Sequence, residues 1–157
     1  MKDPRHLFQS RFGSLAALLA SILVFVTNAA VADPAPPQLP FSPAVLVDNV
    51  LYTSGQIGVK PGENHLTPGG MPAEARQAMD NIDAILAANG MSFDDVFRCT
   101  VALSDMSKWG EFNAVYVTYF QAGPLPARSA FGASALAYGG QVEIDCMARK
   151  GWKSAPR

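Results

Sequence analysis

The chain has 157 residues, with twelve Lys and Arg against thirteen Asp and Glu, and a net charge of −1 at pH 7. That length makes one ordinary domain and not two, and the charge leaves no electrostatic footprint for a nucleic-acid partner. Two cysteines and two histidines, scattered along the chain, give no ligand spacing for a metal site.

The N-terminus carries Lys2, Arg5 and Arg11, followed by the apolar run LAALLASILVFV from Leu15 to Val26, which is short for a membrane span. Ala30-Val31-Ala32 then offers a small-x-small site before Asp33. Positive start, apolar core and small-residue site, in that order, predict a secretory signal peptide over residues 1–32. Cleavage is expected after Ala32, with the mature protein periplasmic or secreted and free of the membrane. The competing reading is an uncleaved anchor. Removal of the segment takes away three bases and Asp3, leaving nine bases against twelve acids, a net charge of −3. An oxidising compartment permits a bridge between Cys99 and Cys146. Both stand in apolar strand-like runs, however, and the expectation is two buried free thiols acting as small hydrophobes.

Residues 33–43, DPAPPQLPFSP, are proline-rich and read as an extended tether. AVLV and VLYTS flank the turn pair Asp48-Asn49 and predict a β-hairpin. In TSGQIG, Thr53 to Gly58, Ser54 offers a hydroxyl and Gly55 a close backbone approach, although a glycine in a strand more often marks a bulge or bend. Lys60 to Gly70 is Gly/Pro-rich loop. A helix starts near Met71, with Pro72 in its first turn and Glu74 complementing the dipole. Ala75, Met79, Ile82 and Leu86 recur at helical spacing until Asn89-Gly90. VFRCTVAL, Val96 to Leu103, is a strand. Asp105 or Ser107 caps a second helix with Trp109, Phe112, Tyr116 and Phe120 on one apolar stripe, stopped by Gly123-Pro124. SAFGASAL and QVEIDCMAR then read as two strands of a second hairpin around Tyr138-Gly139-Gly140.

The order β-β-α-β-α-β-β predicts an α+β domain over residues 44–150, a single mixed sheet with both helices on one face, and a tail over 151–157. The other sheet face also carries apolar residues and needs cover, most simply from further copies of the chain.

Two charges stand out. Arg128 sits between a proline-bounded segment (Pro124, Pro126) and small residues. It is either a surface or structurally paired arginine, or a guanidinium fork presented from a stiff loop to a small carboxylate. Glu143 lies in QVEIDCMA, where alternation places Val142, Ile144 and Cys146 on one face and Glu143, Asp145 and Met147 on the other. It is either solvated or paired with Arg149, or, near Arg128 in a cleft, a general acid or base.

PARS (Pro126 to Ser129), VEID (Val142 to Asp145), SGQIG (Ser54 to Gly58), the spacing of fifteen from Arg128 to Glu143, and FNAVYVTYF (Phe112 to Phe120) resemble the reactive intermediate deaminases, the RidA/YjgF/UK114 family. The resemblance runs from Phe41 to about Arg149. It implies a chorismate-mutase-like fold, homotrimers with an inner β-barrel and outer helices, and sites in clefts between two subunits. It also implies cofactor-free hydrolysis of enamines and imines of 2-amino acids to 2-keto acids and ammonium. Carried over, Arg128 clamps the substrate carboxylate and Glu143 activates water. Ser54 and Gly55 form the cleft wall, and Asn113 lines it. Phe41 stands where many members carry a tyrosine, which leaves the ring without the hydroxyl. Ala130 stands where many carry a cysteine. The segment between the second helix and PARS is shorter than usual. Alternative readings are a keto-acid-binding trimer without turnover and a chaperone-like interaction protein.

Overall fold

The computed structural model describes residues 39–121 and 124–154. The expected signal peptide, the cleavage point after Ala32, most of the proline-rich tether and Gly123 lie outside the described residues. The elements in chain order are β1 (Ala44–Val47), β2 (Val50–Thr53), β3 (Gln56–Ile57), α1 (Met71–Ala88), β4 (Val96–Leu103), α2 (Trp109–Tyr116), β5 (Ala127–Gly132) and β6 (Val142–Arg149). They form one mixed sheet ordered β1-β2-β6-β4-β5, with β3 also pairing β6.

The first hairpin forms as the sequence predicts. Asp48 and Asn49 take φ of 47° and 67°, the left-handed pair that a two-residue hairpin turn requires. Between the pairs Tyr52↔Met147 and Gln56↔Ile144, four steps along the first chain segment face three along β6. That extra residue is a bulge, which separates β3 from β2 and re-aims the chain at Ser54-Gly55. Asn81 on α1 donates its amide N–H to the carbonyls of Ile57 and Val59, which ties β3 and the residues after it to the helix.

The last two strands do not form a hairpin. β5 lies on the far edge, parallel to β4, and β6 runs antiparallel to β4 on the other side. A parallel neighbour is what the β4–α2–β5 crossover demands. The edges of β6 are taken by β4 on one side and by β2 and β3 on the other, which leaves none for β5. Arg128 is consequently a strand residue and not a loop residue, and SAFGASAL leaves the sheet after Gly132.

One face of the sheet is closed by the helices. Met71, Ala75, Ala78, Met79, Ile82 and Leu86 of α1 and Phe112, Val115 and Tyr116 of α2 pack on Cys99, Val101, Leu103, Val142, Ile144, Cys146 and Ala148. Trp109 departs from the expected stripe: at the start of α2 it stays 39 % exposed. Glu74 does more than face the helix dipole. It is buried, and its carboxylate accepts the backbone N–H of Gln141 at 2.7 Å and that residue's side-chain amide at 2.8 Å, which fixes the approach to β6. On the opposite face Val45, Val47, Tyr52 and Phe131 are each about half exposed.

The expectation of free thiols fails. Cys99 and Cys146 are direct partners across β4 and β6, with Cα atoms 4.1 Å apart, and their sulfurs are bonded. Two long strands read separately give no register, and register alone brings the thiols face to face. Chain entropy gives a bridge across 47 residues a stabilisation of roughly 4 kcal/mol. Urea unfolding of Cys99→Ala/Cys146→Ala should therefore shift well below the parent, and unfolded but unreduced parent should not react with a maleimide. A maleimide adduct on both cysteines without reductant contradicts the bridge.

Candidate active site

Cross-strand register decides where each candidate side chain points. Arg128 pairs with Cys99 and Ala130 with Val101, both core residues, so Arg128 and Ala130 lie on the helix-covered face. Glu143 pairs with Ala102 and lies on the open face, beside Asp145 and Met147. Arg128 and Glu143 are two strands apart and three residues out of step along β4. Standard strand dimensions put their Cα atoms roughly 14 Å from each other, on opposite faces. Within one chain the two charges do not form a single site.

Arg128 sits at the mouth of an open cleft of about 390 Å³ lined by Asn113, Tyr116, Val117, Leu125 and Pro126. Its guanidinium carbon lies 4.6 Å from the centre of the Tyr116 ring and 5.5 Å from that of Phe112. No carboxylate lies within ion-pair distance among the described residues, and the Arg128 guanidinium makes no hydrogen bond to them. A stacked guanidinium without a counter-charge keeps its N–H edge available for a planar anion. The Tyr116 hydroxyl and the Asn113 Oδ1 are buried without a hydrogen-bond partner among the described residues. Burial pushes the Tyr116 phenol up to about 12, against the opposing pull of the Arg128 cation. The ring beneath the arginine is thus a neutral phenol, not a phenolate that would occupy the guanidinium.

Glu143 has a different setting. Its side chain lies directly over Gly55: a Cβ at that glycine would stand 2.9 Å from the Glu143 Cδ, 3.0 Å from its Cγ, and closer still to Oε1. The bulge brings Gly55 there, and the missing side chain makes room for the carboxylate. Gly55 has no left-handed φ, so its role is close approach and not turn geometry. Ser54 donates its hydroxyl to the Ser42 carbonyl at 2.6 Å, and its own N–H goes to the Pro43 carbonyl. Those bonds hold the segment before β1 that carries Phe41, whose ring is half exposed. Phe41, Ser54, Gly55 and Glu143 therefore make one group, and Arg128 with Asn113 another. Arg149, the alternative partner for Glu143, makes no ion pair with it. Beside Glu143, desolvation raises the Asp145 carboxyl above its ordinary value, opposed by a Thr100 hydrogen bond and the Arg98 cation.

Sequence reasoning assigned Phe112 and Tyr116 to the helix core stripe and missed their contact with Arg128. The signal that distinguishes the site is the one hydroxyl in an otherwise apolar stripe, at Tyr116, against an arginine that follows a proline pair. Val117, Leu125 and Pro126 as cleft wall carry no sequence signal beyond being apolar.

Comparison with known proteins places this geometry among relatives. A family model described as endoribonuclease L-PSP matches residues 32–150. The mouse protein named 2-iminobutanoate/2-iminopropanoate deaminase is 47 % identical over 112 residues, covering 71 % of this chain and 82 % of that protein. Protein DfrA of Myxococcus xanthus is 41 % identical over 119 residues, 74 % of this chain and 90 % of that one. Among solved structures, RidA from an Antarctic Psychrobacter superposes with a TM-score of 0.67 at 39 % identity, covering 73 % of this chain and 92 % of that chain. A Rid-family protein of Yersinia pestis superposes with a TM-score of 0.69 at 33 % identity, covering 73 % and 91 %.

Two glycines separate site from scaffold. A Cβ at Gly55 meets only the end of a flexible side chain, whereas at Gly58 it would stand 2.6 Å from the Glu74 Cα on α1. Gly55→Ala should leave urea stability within about 1 kcal/mol of the parent while a crystal structure shows the Glu143 carboxylate displaced. Gly58→Ala should lose about 2–3 kcal/mol. Equal losses for both would show that Gly55 is a packing glycine.

Proposed function

Because the chain belongs to the RidA/YjgF/UK114 family, whose model is described as endoribonuclease L-PSP, we propose that it hydrolyses imines of 2-amino acids, and enamines such as 2-aminoacrylate after tautomerisation, to 2-keto acids and ammonium. One observation carries the reading. Both charges singled out in the sequence lack a counter-charge among the described residues, and each is held by purpose-shaped surroundings: Arg128 over two aromatic rings, Glu143 over a glycine. The relatives named as imine deaminases support the substrate class. The endoribonuclease in the family description does not transfer, since an acidic chain without a basic stripe offers little to a phosphate backbone.

The chemistry needs few parts. Arg128 holds the substrate carboxylate by two parallel hydrogen bonds. A protonated imine carbon is already electrophilic, so positioning and one proton acceptor suffice. Glu143 takes a proton from water as the water oxygen bonds to the imine carbon, giving a tetrahedral carbinolamine. Glu143 returns that proton to nitrogen. The C–N bond then breaks, ammonia leaves, and the hydroxyl proton passes through Glu143 to the ammonia, giving the 2-keto acid and ammonium.

Since Arg128 and Glu143 lie on opposite faces of one sheet, the proposed site is composite: Arg128 from one copy and Glu143 from its neighbour, in a homotrimer that also covers Val45, Val47, Tyr52 and Phe131. Export is part of the proposal. The order of the N-terminal segment supports it, and so does a Cys99–Cys146 bridge, which an oxidising compartment preserves.

Two variants separate binding from chemistry. Arg128→Lys keeps the charge and loses the fork, and should weaken calorimetric binding of 2-oxobutanoate roughly tenfold or more. Glu143→Gln should bind it as the parent does and release ammonium from oxidase-generated imines about a hundredfold more slowly. Co-expressed, the two variants should recover about a quarter of parental activity, because in a randomly mixed ring one shared site in four has both native residues. Unchanged turnover in Glu143→Gln would leave a keto-acid-binding protein. No recovery in the mixed oligomer would place both residues of a site in one copy.

A further inference from the structure

The arginine proposed to hold the substrate carboxylate raises a question of its own. A guanidinium in a protein is ordinarily aimed by a carboxylate partner, and such a partner would occupy the N–H edge that a substrate needs. Arg128 has none among the described residues. What touches it is the face of Tyr116 at 4.6 Å and that of Phe112 at 5.5 Å. A ring face attracts a cation while leaving the in-plane donors free.

We propose that Tyr116 is a positioning residue: its ring, backed by a continuous aromatic stack, holds the Arg128 guanidinium in the plane and orientation that receive a carboxylate. The inference rests on the reading of Arg128 as the carboxylate clamp. The stack behind Tyr116 explains why its ring can serve. Phe112 and Tyr116 have centroids 5.5 Å apart, Tyr116 and Phe120 4.7 Å, and Phe120 and Phe93 5.2 Å. Phe93 continues to Tyr119 at 5.1 Å, whose hydroxyl donates to Asp80 on α1 at 2.6 Å. Five rings thus run from the arginine to the first helix, and Tyr116, 5 % exposed, cannot swing away without breaking the stack. The phenol adds nothing to this by hydrogen bonding, because its oxygen is buried and has no partner among the described residues. Burial also keeps it protonated well above neutral pH, so it never becomes an anion that would pair with Arg128 and compete with substrate.

The ring and the hydroxyl are separable, and so are positioning and packing. Tyr116→Leu removes the platform. It should raise KM for oxidase-generated imines and the calorimetric Kd for 2-oxobutanoate about tenfold, with kcat lowered less than threefold, since Glu143 is untouched. Tyr116→Phe, which keeps the ring, should recover most of that loss. Phe120→Leu removes a ring of the same stack that does not touch Arg128. It should lower the melting temperature as Tyr116→Leu does but raise Kd clearly less, about threefold or under, since the ring beneath Arg128 stays. Should Tyr116→Phe bind as poorly as Tyr116→Leu, the hydroxyl and not the ring is responsible. Should Phe120→Leu weaken binding equally, the effect is core packing. Either result overturns the proposal. If Tyr116→Leu does not fold, NMR of the parent protein decides: the Arg128 δ protons should be shifted upfield by the rings and its guanidinium rotation slowed, and unshifted, freely rotating signals overturn the platform. Binding of 2-oxobutanoate that Arg128→Lys leaves unchanged would instead overturn the clamp reading itself, a distinct failure.

Discussion

The pleat of β6 is the constraint on which the rest depends. β6 is the central strand, paired with β2 and β3 on one edge and β4 on the other. Val142, Ile144, Cys146 and Ala148 are essentially without solvent contact beneath the helices, so Glu143, Asp145 and Met147 must face the other way. A slip of one residue would bury two carboxylates in a hydrocarbon core, which makes the register strongly specified. The Cys99–Cys146 bond lies in the same register and locks it covalently.

From that register follows the division of the site. β4 passes the alternation of β6 on to β5, so Cys99 sets Arg128 on the helix side just as Ala102 leaves Glu143 on the open side. Each charge is then served by the element nearest to it. The cation is met by rings on α2, which the hydrophobic stripe of that helix already supplies. The carboxylate is met by a bulge and a glycine between β2 and β3, next to the β3 backbone that Asn81 ties to α1. The proposed trimer would resolve two separate difficulties at once. It would cover the apolar open face, and it would bring Arg128 of one copy toward Glu143 of the next, two charges without a counter-charge among the described residues.

The departures from expectation share one cause, which is pairing at a distance. The strands at SAFG and VEID are neighbours in sequence, and their local pattern suggests a hairpin. In the fold they flank β4, because a parallel partner after α2 takes the outer edge. The cysteines were read as separate buried thiols because local apolarity says nothing about which residue lies opposite. Pro124 and Pro126 suggest a loop at Arg128, yet Arg128 stands in β5, in register with Cys99 of β4.

Local physics made much of this protein legible from its sequence. Asp48-Asn49 specified the first hairpin, the spacing of Ala75, Met79, Ile82 and Leu86 specified α1 and its buried side, and two-residue alternation specified which face Glu143 takes. These features depend on residues within a few positions of one another, so turn chemistry and periodicity suffice. Family resemblance in the motifs around Arg128 and Glu143 also marks both as candidate site residues. Tertiary structure alone decided the rest: the strand order, the bridge, the opposite faces of the two charges, the glycine beneath Glu143 and the rings beneath Arg128. Each of these is a contact between segments tens of residues apart, set by register and by which edges of β4 and β6 remain free, and no local pattern encodes that choice.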